Sequence, residues 1–331
     1  MKLSCLASIY LGLILTTSIV FHAHFYGVDN FKKYLTQHNN YDSFITLPAL
    51  PSGAATSNNG EYIFTAVPLR PQIMKINLRS KVVAESKPYA DYYFGGMSVG
   101  YEGKYLYVSR PFSDEVAVLS VKNLETICAV KVGDYPKDIF TCDDKYIIVL
   151  NYCGKSISVI DSRKNTIAAT MNVGKYPTDV AFNRDFSRMF VVCGGNSTVY
   201  IVNVGTFQVV KKLQLKEKPY GVACGPDERQ IAVTLFKRNK VIIIELESGK
   251  VIGEINVGEY PTKIKYSKSG KMLYNINAVD NTVSFIDAEH NALLKNVYTG
   301  RCPIEISVFQ NSEKLLVVNG YDWVKSISMI E

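Results

Sequence analysis

One strand-sized block of apolar residues keeps returning along the chain. It reads QIMKIN at 72–77, EVAVLS at 115–120, SISVID at 156–161 and TVYIVN at 198–203. It continues as KVIIIE at 240–245, TVSFID at 282–287 and SISMIE at 326–331. The starts lie 43, 41, 42, 42, 42 and 44 residues apart. Most copies alternate polar and apolar residues, as in Ser156, Ile157, Ser158 and Val159. A period of two predicts a half-buried strand. A second landmark runs in phase with the first: VGDYPKDI from Val132, VGKYPTDV from Val173 and VGEYPTKI from Val257, with weaker copies from Lys216 and Thr299. Earlier counterparts fall near Gly95 and Ser52, which again makes seven.

One period divides into four strands. Residues 137–142, 145–150, 155–161 and 166–173 are strand-like, and Asp143-Asp144, Asn151–Gly154 and Ser162–Asn165 supply turns. Gly and Pro then carry the chain to the next unit, where a strand entrance needs no ladder donor. Four strands per 40–45 residues is the signature of a propeller blade. The expected fold is therefore all-β: a seven-bladed β-propeller with four-stranded antiparallel blades over residues 42–331. The last unit ends after its third strand, and Ser43–Leu47 stands where a fourth strand is missing. The N-terminal strand is expected to close the last blade beside 325–330, which removes an open sheet edge.

These motifs resemble the YVTN β-propeller repeat family. KYLYVSR at 104–110, MFVVCGG at 189–195 and MLYNINA at 272–278 match its Tyr-Val-x-Asn strand. SISVID and TVSFID match its Ser-Val-Ile-Asp strand, and VGDYP, VGKYP and VGEYP its turn. The likeness covers about 43–331 and departs in the first unit, at 85–99 and at 216–221. It implies a secreted or surface protein of bacterial or archaeal type. The related architecture also hosts lactonases and redox-cofactor enzymes, so the fold does not fix the function.

Upstream, Lys2 precedes an uncharged run from Leu3 to Phe21. Nineteen residues of helix span about 28 Å, close to a bilayer core. Residues 1–24 are expected to form a hydrophobic helix, as a cleaved signal peptide or a retained membrane anchor, with 25–41 as a linker. Phe21 is too large for a good cleavage signal ending at Ala23. The folded part is expected outside the cytoplasm, secreted or anchored at the cell surface. The net charge is +7, but its cations are scattered among 30 acids. Nucleic acid is thus the weaker alternative partner. None of the seven Cys forms a CxxC pair, and six of them fall within the repeats. Buried free thiols and disulfides both remain open.

The catalytic inventory is thin. Three of the four His precede the repeats, and His290 sits in a turn, so no His-based triad or haem ligand suggests itself. Asn196-Ser197-Thr198 is a glycosylation sequon read as chance. Asp138, Asp179, Lys263 and Glu305 each stand two residues after a repeat proline. There the first strand of a blade would line the central channel, so the four would meet in a polar funnel for a cation or small ligand, or would be solvated at its mouth. Aromatic and Arg residues gather on the face of the fourth-to-first connections and second-to-third turns: Arg110, Tyr135, Tyr152, Tyr176, Arg238, Tyr260, Tyr321 and Trp323. Such groups offer large contact area with a polar tip. The expectation is a monomeric, non-enzymatic binding scaffold without cofactor or metal. Its partner would be a protein or cell-envelope polymer, with the membrane added if the N-terminal segment is uncleaved. An enzyme working from the funnel is the alternative.

Overall fold

The computed structural model describes residues 41–46, 52–67, 71–80, 82–89, 93–308, 314–320 and 323–328, with the backbone alone for 41–46, 67, 314 and 323–328. The hydrophobic segment 1–24 and linker residues 25–40 lie outside them, whereas Tyr41, expected as the linker's last residue, already belongs to a strand. Among the described residues no helix is long and apolar enough to cross a membrane.

Seven four-stranded sheets succeed one another along the chain. The third is representative. Pro136–Cys142, Tyr146–Asn151, Ser156–Asp161 and Thr166–Asn172 pair in sequence order, each antiparallel to the last. The innermost strands are Gly53–Thr56, Met97–Gly100, Pro136–Cys142, Pro177–Phe182, Val222–Cys224, Pro261–Tyr266 and Pro303–Val308. Each touches the next, and the seventh touches the first, so the sheets form a closed ring. Tyr41–Thr46 is the outermost strand of the seventh sheet, next to Trp323–Ser328.

The core is a set of layers between neighbouring sheets. Ile148, Ile157 and Val159 of the third pack against Val191 and Val202 of the fourth. Ile63 and Ile76 of the first pack against Leu316 and Val318 of the seventh. This sandwiching corrects the half-buried reading of SISVID. Ser156 through Ile160 are all buried, because both faces of a middle strand meet another blade. The polar positions are then satisfied internally: the Asn151 side-chain amide donates to the Ser156 and Ser158 hydroxyls at 3.0 and 2.9 Å. Fourth strands, by contrast, are largely exposed, as at Thr166–Asn172.

The repeated turn residues now have physical causes. A Cβ on Gly133 would stand 2.5 Å from the Asn151 side chain, and one on Gly258 2.6 Å from that of Asn277. The glycine and the asparagine of the repeat are thus contact partners. Tyr135, Tyr176 and Tyr260 sit at φ of 55, 54 and 58°, which costs an L-residue about 1–2 kcal/mol. Their turns are held by neighbouring bonds: Tyr135 N–H donates to Asp114 Oδ1 at 2.9 Å and Tyr260 N–H to Asn239 Oδ1 at 3.2 Å.

The seventh unit departs from the repeat. Its third strand begins at Trp323, opposite Asn319, so three positions separate the paired residues. The third sheet needs four residues, Tyr152–Lys155, for the same turn. The SISMIE copy therefore begins inside this strand rather than starting it, and Trp323 is a strand residue rather than a turn residue.

Candidate functional site

Two places gather chemistry on the axis of the ring. The first is the charged level of the inner strands. Register shifts occur between Pro136 and Asp138, Pro177 and Asp179, Pro261 and Ile264, and Pro303 and Glu305. A bulge of this kind re-aims a side chain. At the level of Asp138 the seven blades carry Gly53, Gly96, Asp138, Asp179, Gly221, Lys263 and Glu305. The three glycines are there because the ring is narrow. A Cβ on Gly96 would lie 2.1 Å from Asp138 Oδ1, and one on Gly221 2.1 Å from the Thr262 carbonyl. Sequence reasoning missed these glycines, because what excludes a side chain there belongs to the next blade.

Lys263 Nζ donates to Asp138 Oδ2 at 2.5 Å and Asp179 Oδ1 at 3.1 Å. Asp179 is fully buried and its Oδ2 also accepts the Val222 N–H at 3.0 Å. Burial works against the Lys263 charge, and the carboxylates of Asp138, Asp179 and Glu305 outweigh it, so its pKa stands well above the usual lysine value. Burial pushes the Glu305 carboxyl up, and Lys263 offsets this only in part. The structure thus joins three of the four funnel residues directly and leaves Glu305 in their field. Rather than solvated groups at a mouth, Lys263 and Asp179 are buried ties across the axis.

Toward the face of the first-to-second turns, a cavity of about 590 Å³ opens beside this level, lined by all seven inner strands. Asp138 and Glu305 border it at one end and Asn58 and Arg184 at the other; Phe140, Phe182 and Tyr266 stand in its wall. Among the described residues no group of His, Cys, Asp and Glu is arranged to hold a metal ion.

The second place is the opposite face, carrying the fourth-to-first connections and second-to-third turns. Tyr93 meets Phe112 at 5.7 Å between ring centres, Phe112 meets Tyr135 at 5.8 Å, and Tyr135 meets Tyr152 at 6.4 Å. Tyr152 stacks on Tyr176 at 4.9 Å and 25°. Tyr220, Phe236 and Tyr260 continue the series at 5.9 and 5.6 Å. Lys137 joins the two runs. Its Nζ lies 4.9 Å from the Tyr152 ring and 5.0 Å from the Tyr220 ring, and donates to the Tyr220 hydroxyl at 3.2 Å. Burial opposes this charge, yet the Tyr220 and Tyr152 phenols and Asp138 hold the pKa above its ordinary value.

The sequence-predicted rim residues fare differently. Tyr152, Tyr176 and Tyr260 are half-buried members of this aromatic arc, whereas Tyr135 is buried beneath it. Arg110 pairs with Glu115 at 2.8 Å and Arg238 with Glu217 at 2.5 Å, so both guanidiniums are engaged within the ring. Tyr321 lies outside the described residues, as does the Trp323 side chain. Lys137, Phe112 and Phe236 were missed. Nothing in the repeat pattern marks them, because each also meets a ring of another blade: Lys137 that of Tyr220, Phe112 that of Tyr135 and Phe236 that of Tyr260. His290 is exposed, and its Nδ1 lies 2.9 Å from Asp287 Oδ2, which raises its pKa. Cys128, Cys142, Cys193, Cys224 and Cys302 are free thiols, and burial pushes Cys142, Cys193 and Cys224 up to about 12.

A closed ring of seven four-stranded antiparallel sheets around an axial cavity defines a β-propeller. Solved structures agree at the level of fold. Hydrazine synthase of Kuenenia stuttgartiensis is similar with a TM-score of 0.75 and 19% identity, over 87% of this chain and 99% of that one. Selenomethionine-substituted virginiamycin B lyase from Staphylococcus aureus is similar with a TM-score of 0.74 and 15% identity, over the same shares. No protein-family description matches the chain, and no curated relative matches its sequence.

Proposed function

We propose that this chain is a non-enzymatic binding propeller of the YVTN-repeat type. It acts outside the cytoplasm, secreted or held at the cell surface by its N-terminal apolar run. Its partner is a protein or cell-envelope polymer, taken on the face of the fourth-to-first connections. The aromatic arc from Phe112 to Tyr260 carries this reading. Aromatic groups that keep one face accessible concentrate binding energy, since they offer area at small entropic cost. Arg238, Tyr321 and Trp323 belong to its rim on this reading. The test is co-sedimentation with isolated cell envelope. Tyr176→Ala with Phe236→Ala is expected to cut binding at least about tenfold while the ring stays folded. Undiminished binding by the folded double variant would remove this face from consideration.

The axial cavity supports a second reading as an enzyme site. Buried carboxyls with raised pKa cluster at functional sites, and Glu305 borders the cavity. The two similar structures are named as a synthase and a lyase. A lactone hydrolysis screen, with an absorption spectrum and metal content of the purified protein, separates the two readings.

A further inference from the structure

The aromatic face is not electrically uniform. Around the fourth blade, the connections on this face carry Lys155, Lys175, Lys216, Lys218, Lys237 and Arg238. All but the half-buried Lys155 are exposed. Glu217 stands among them and is engaged by Arg238. Among the described residues, Lys175, Lys216, Lys218 and Lys237 form no ion pair, and although Lys216 lies in the field of Glu254, cations outnumber acids in this sector.

The cations flank two aromatic walls. One is the Tyr152–Tyr176 stack and the other the Tyr220–Phe236 pair, with Lys237 Nζ 6.0 Å from the Phe236 ring centre. Lys137 contacts Tyr152 and Tyr220 from beneath, which places these two ring centres within about 10 Å of each other. The second-to-third turn of the fourth blade runs between the walls as Gly194-Gly195. Gly194 donates its N–H to the Tyr176 carbonyl at 3.0 Å and Gly195 to the Lys175 carbonyl at 2.9 Å. A Cβ on Gly195 would lie 2.7 Å from the Tyr176 ring, and one on Gly194 3.1 Å from the Pro219 carbonyl. Tyr176 and the Pro219 carbonyl therefore pack directly against these glycines, and Lys137 is the side chain that lies between the two walls.

We infer that this trough binds an acidic polysaccharide. Pyranose rings lay their C–H faces on Tyr176 and Phe236. The carboxylates of the polymer meet Lys175, Lys216, Lys218 and Lys237, which supply charge complementarity and fast association. Two aromatic walls bridged by Lys137 suit a thin chain lying across them, and a repeating charge suits cations placed on neighbouring connections. The inference rests on the reading of this face as a partner surface outside the cytoplasm.

The test uses polygalacturonate, neutral dextran and poly(U) as immobilised probes, with the whole chain in solution at 50 and 200 mM salt. Binding to polygalacturonate is expected, weakening as salt rises, with none to dextran. Lys175→Glu with Lys237→Glu is expected to weaken it at least about tenfold without shifting the melting temperature, since surface substitutions of this kind leave stability nearly unchanged. Tyr176→Ala with Phe236→Ala is expected to weaken it too. No polygalacturonate binding at 50 mM salt, or equal binding by the charge-reversed variant, overturns the inference. Tighter capture by poly(U) also overturns it and makes the trough a nucleic-acid site. If cell-envelope binding is lost in the aromatic variant but kept in the charge-reversed one, the partner surface stands and its acidic-glycan assignment falls. If neither variant changes envelope binding, both fall.

Discussion

Lys263 leaves the sixth blade and meets Asp138 of the third and Asp179 of the fourth across the axis. The residues it joins lie 125 and 84 positions away in sequence. Removing one partner of a buried ion pair costs about 3–5 kcal/mol, because the other charge stays buried. Lys263→Met is expected to destabilise the ring by about that much in urea unfolding at pH 7. Adding Asp179→Asn should recover part of the loss, since the amide oxygen can still accept the Val222 N–H. A Lys263→Met variant within about 1 kcal/mol of the parent would show that the tie contributes little. Glu305 gives a prediction of opposite sign. Its folded pKa is raised by burial, so the folded state holds its proton more firmly than the unfolded chain. Ionising it above that pKa therefore costs stability, and the cost vanishes as pH falls below the unfolded carboxyl value. Glu305→Gln is expected to melt higher than the parent at pH 8, with the gap closing toward pH 4. A gap that widens on acidification would contradict the assignment.

Among the elements, legibility follows distance along the chain. The hexads and proline turns are local, and their phase sufficed to place the strands of the third blade within a residue or two. The same phase set Asp138, Asp179, Lys263 and Glu305 at one level of the inner strands. What a strand faces was not legible. Ser156 and Ser158 look like a solvent face in sequence, yet both are buried, because alternation cannot distinguish water from the polar edge of a neighbouring turn. The glycines at 53, 96 and 221 have no motif of their own. They answer to atoms of the next blade: the Gly95 carbonyl, Asp138 Oδ1 and the Thr262 carbonyl. Lys137 was equally opaque, since Tyr220 lies two blades on. The seventh unit shows a further limit, where the strand begins at Trp323, three residues ahead of its sequence copy.

At the scale of the ring, the layer between the first and seventh blades decides whether the sheets act as one body. That layer contains Ile63, Ile76, Leu316 and Val318, and the innermost strands of the two blades also touch. The seventh sheet draws its outer strand from Tyr41–Thr46 and its other three from the chain's last segment. Its integrity therefore depends on both ends of the sequence, and the loop so closed spans nearly the whole chain. Closing so long a loop is entropically costly, but that cost grows only slowly with length, so a single strand's pairing can sustain it. Without Tyr41–Thr46, Trp323–Ser328 becomes an open edge, prone to pair with another molecule. Two truncations separate the strand from what precedes it. A chain starting at Tyr41 is expected to melt within about 2 °C of one carrying residues 1–40. A chain starting at Ser52 is expected to melt at least about 5 °C lower, since each kcal/mol lost shifts a domain of this size by a few degrees or less. It should also sediment partly as oligomers at micromolar concentration, through the exposed edge. Equal melting and monomeric sedimentation of the two truncated chains would mean that the ring holds through its inner strands and interblade layers alone.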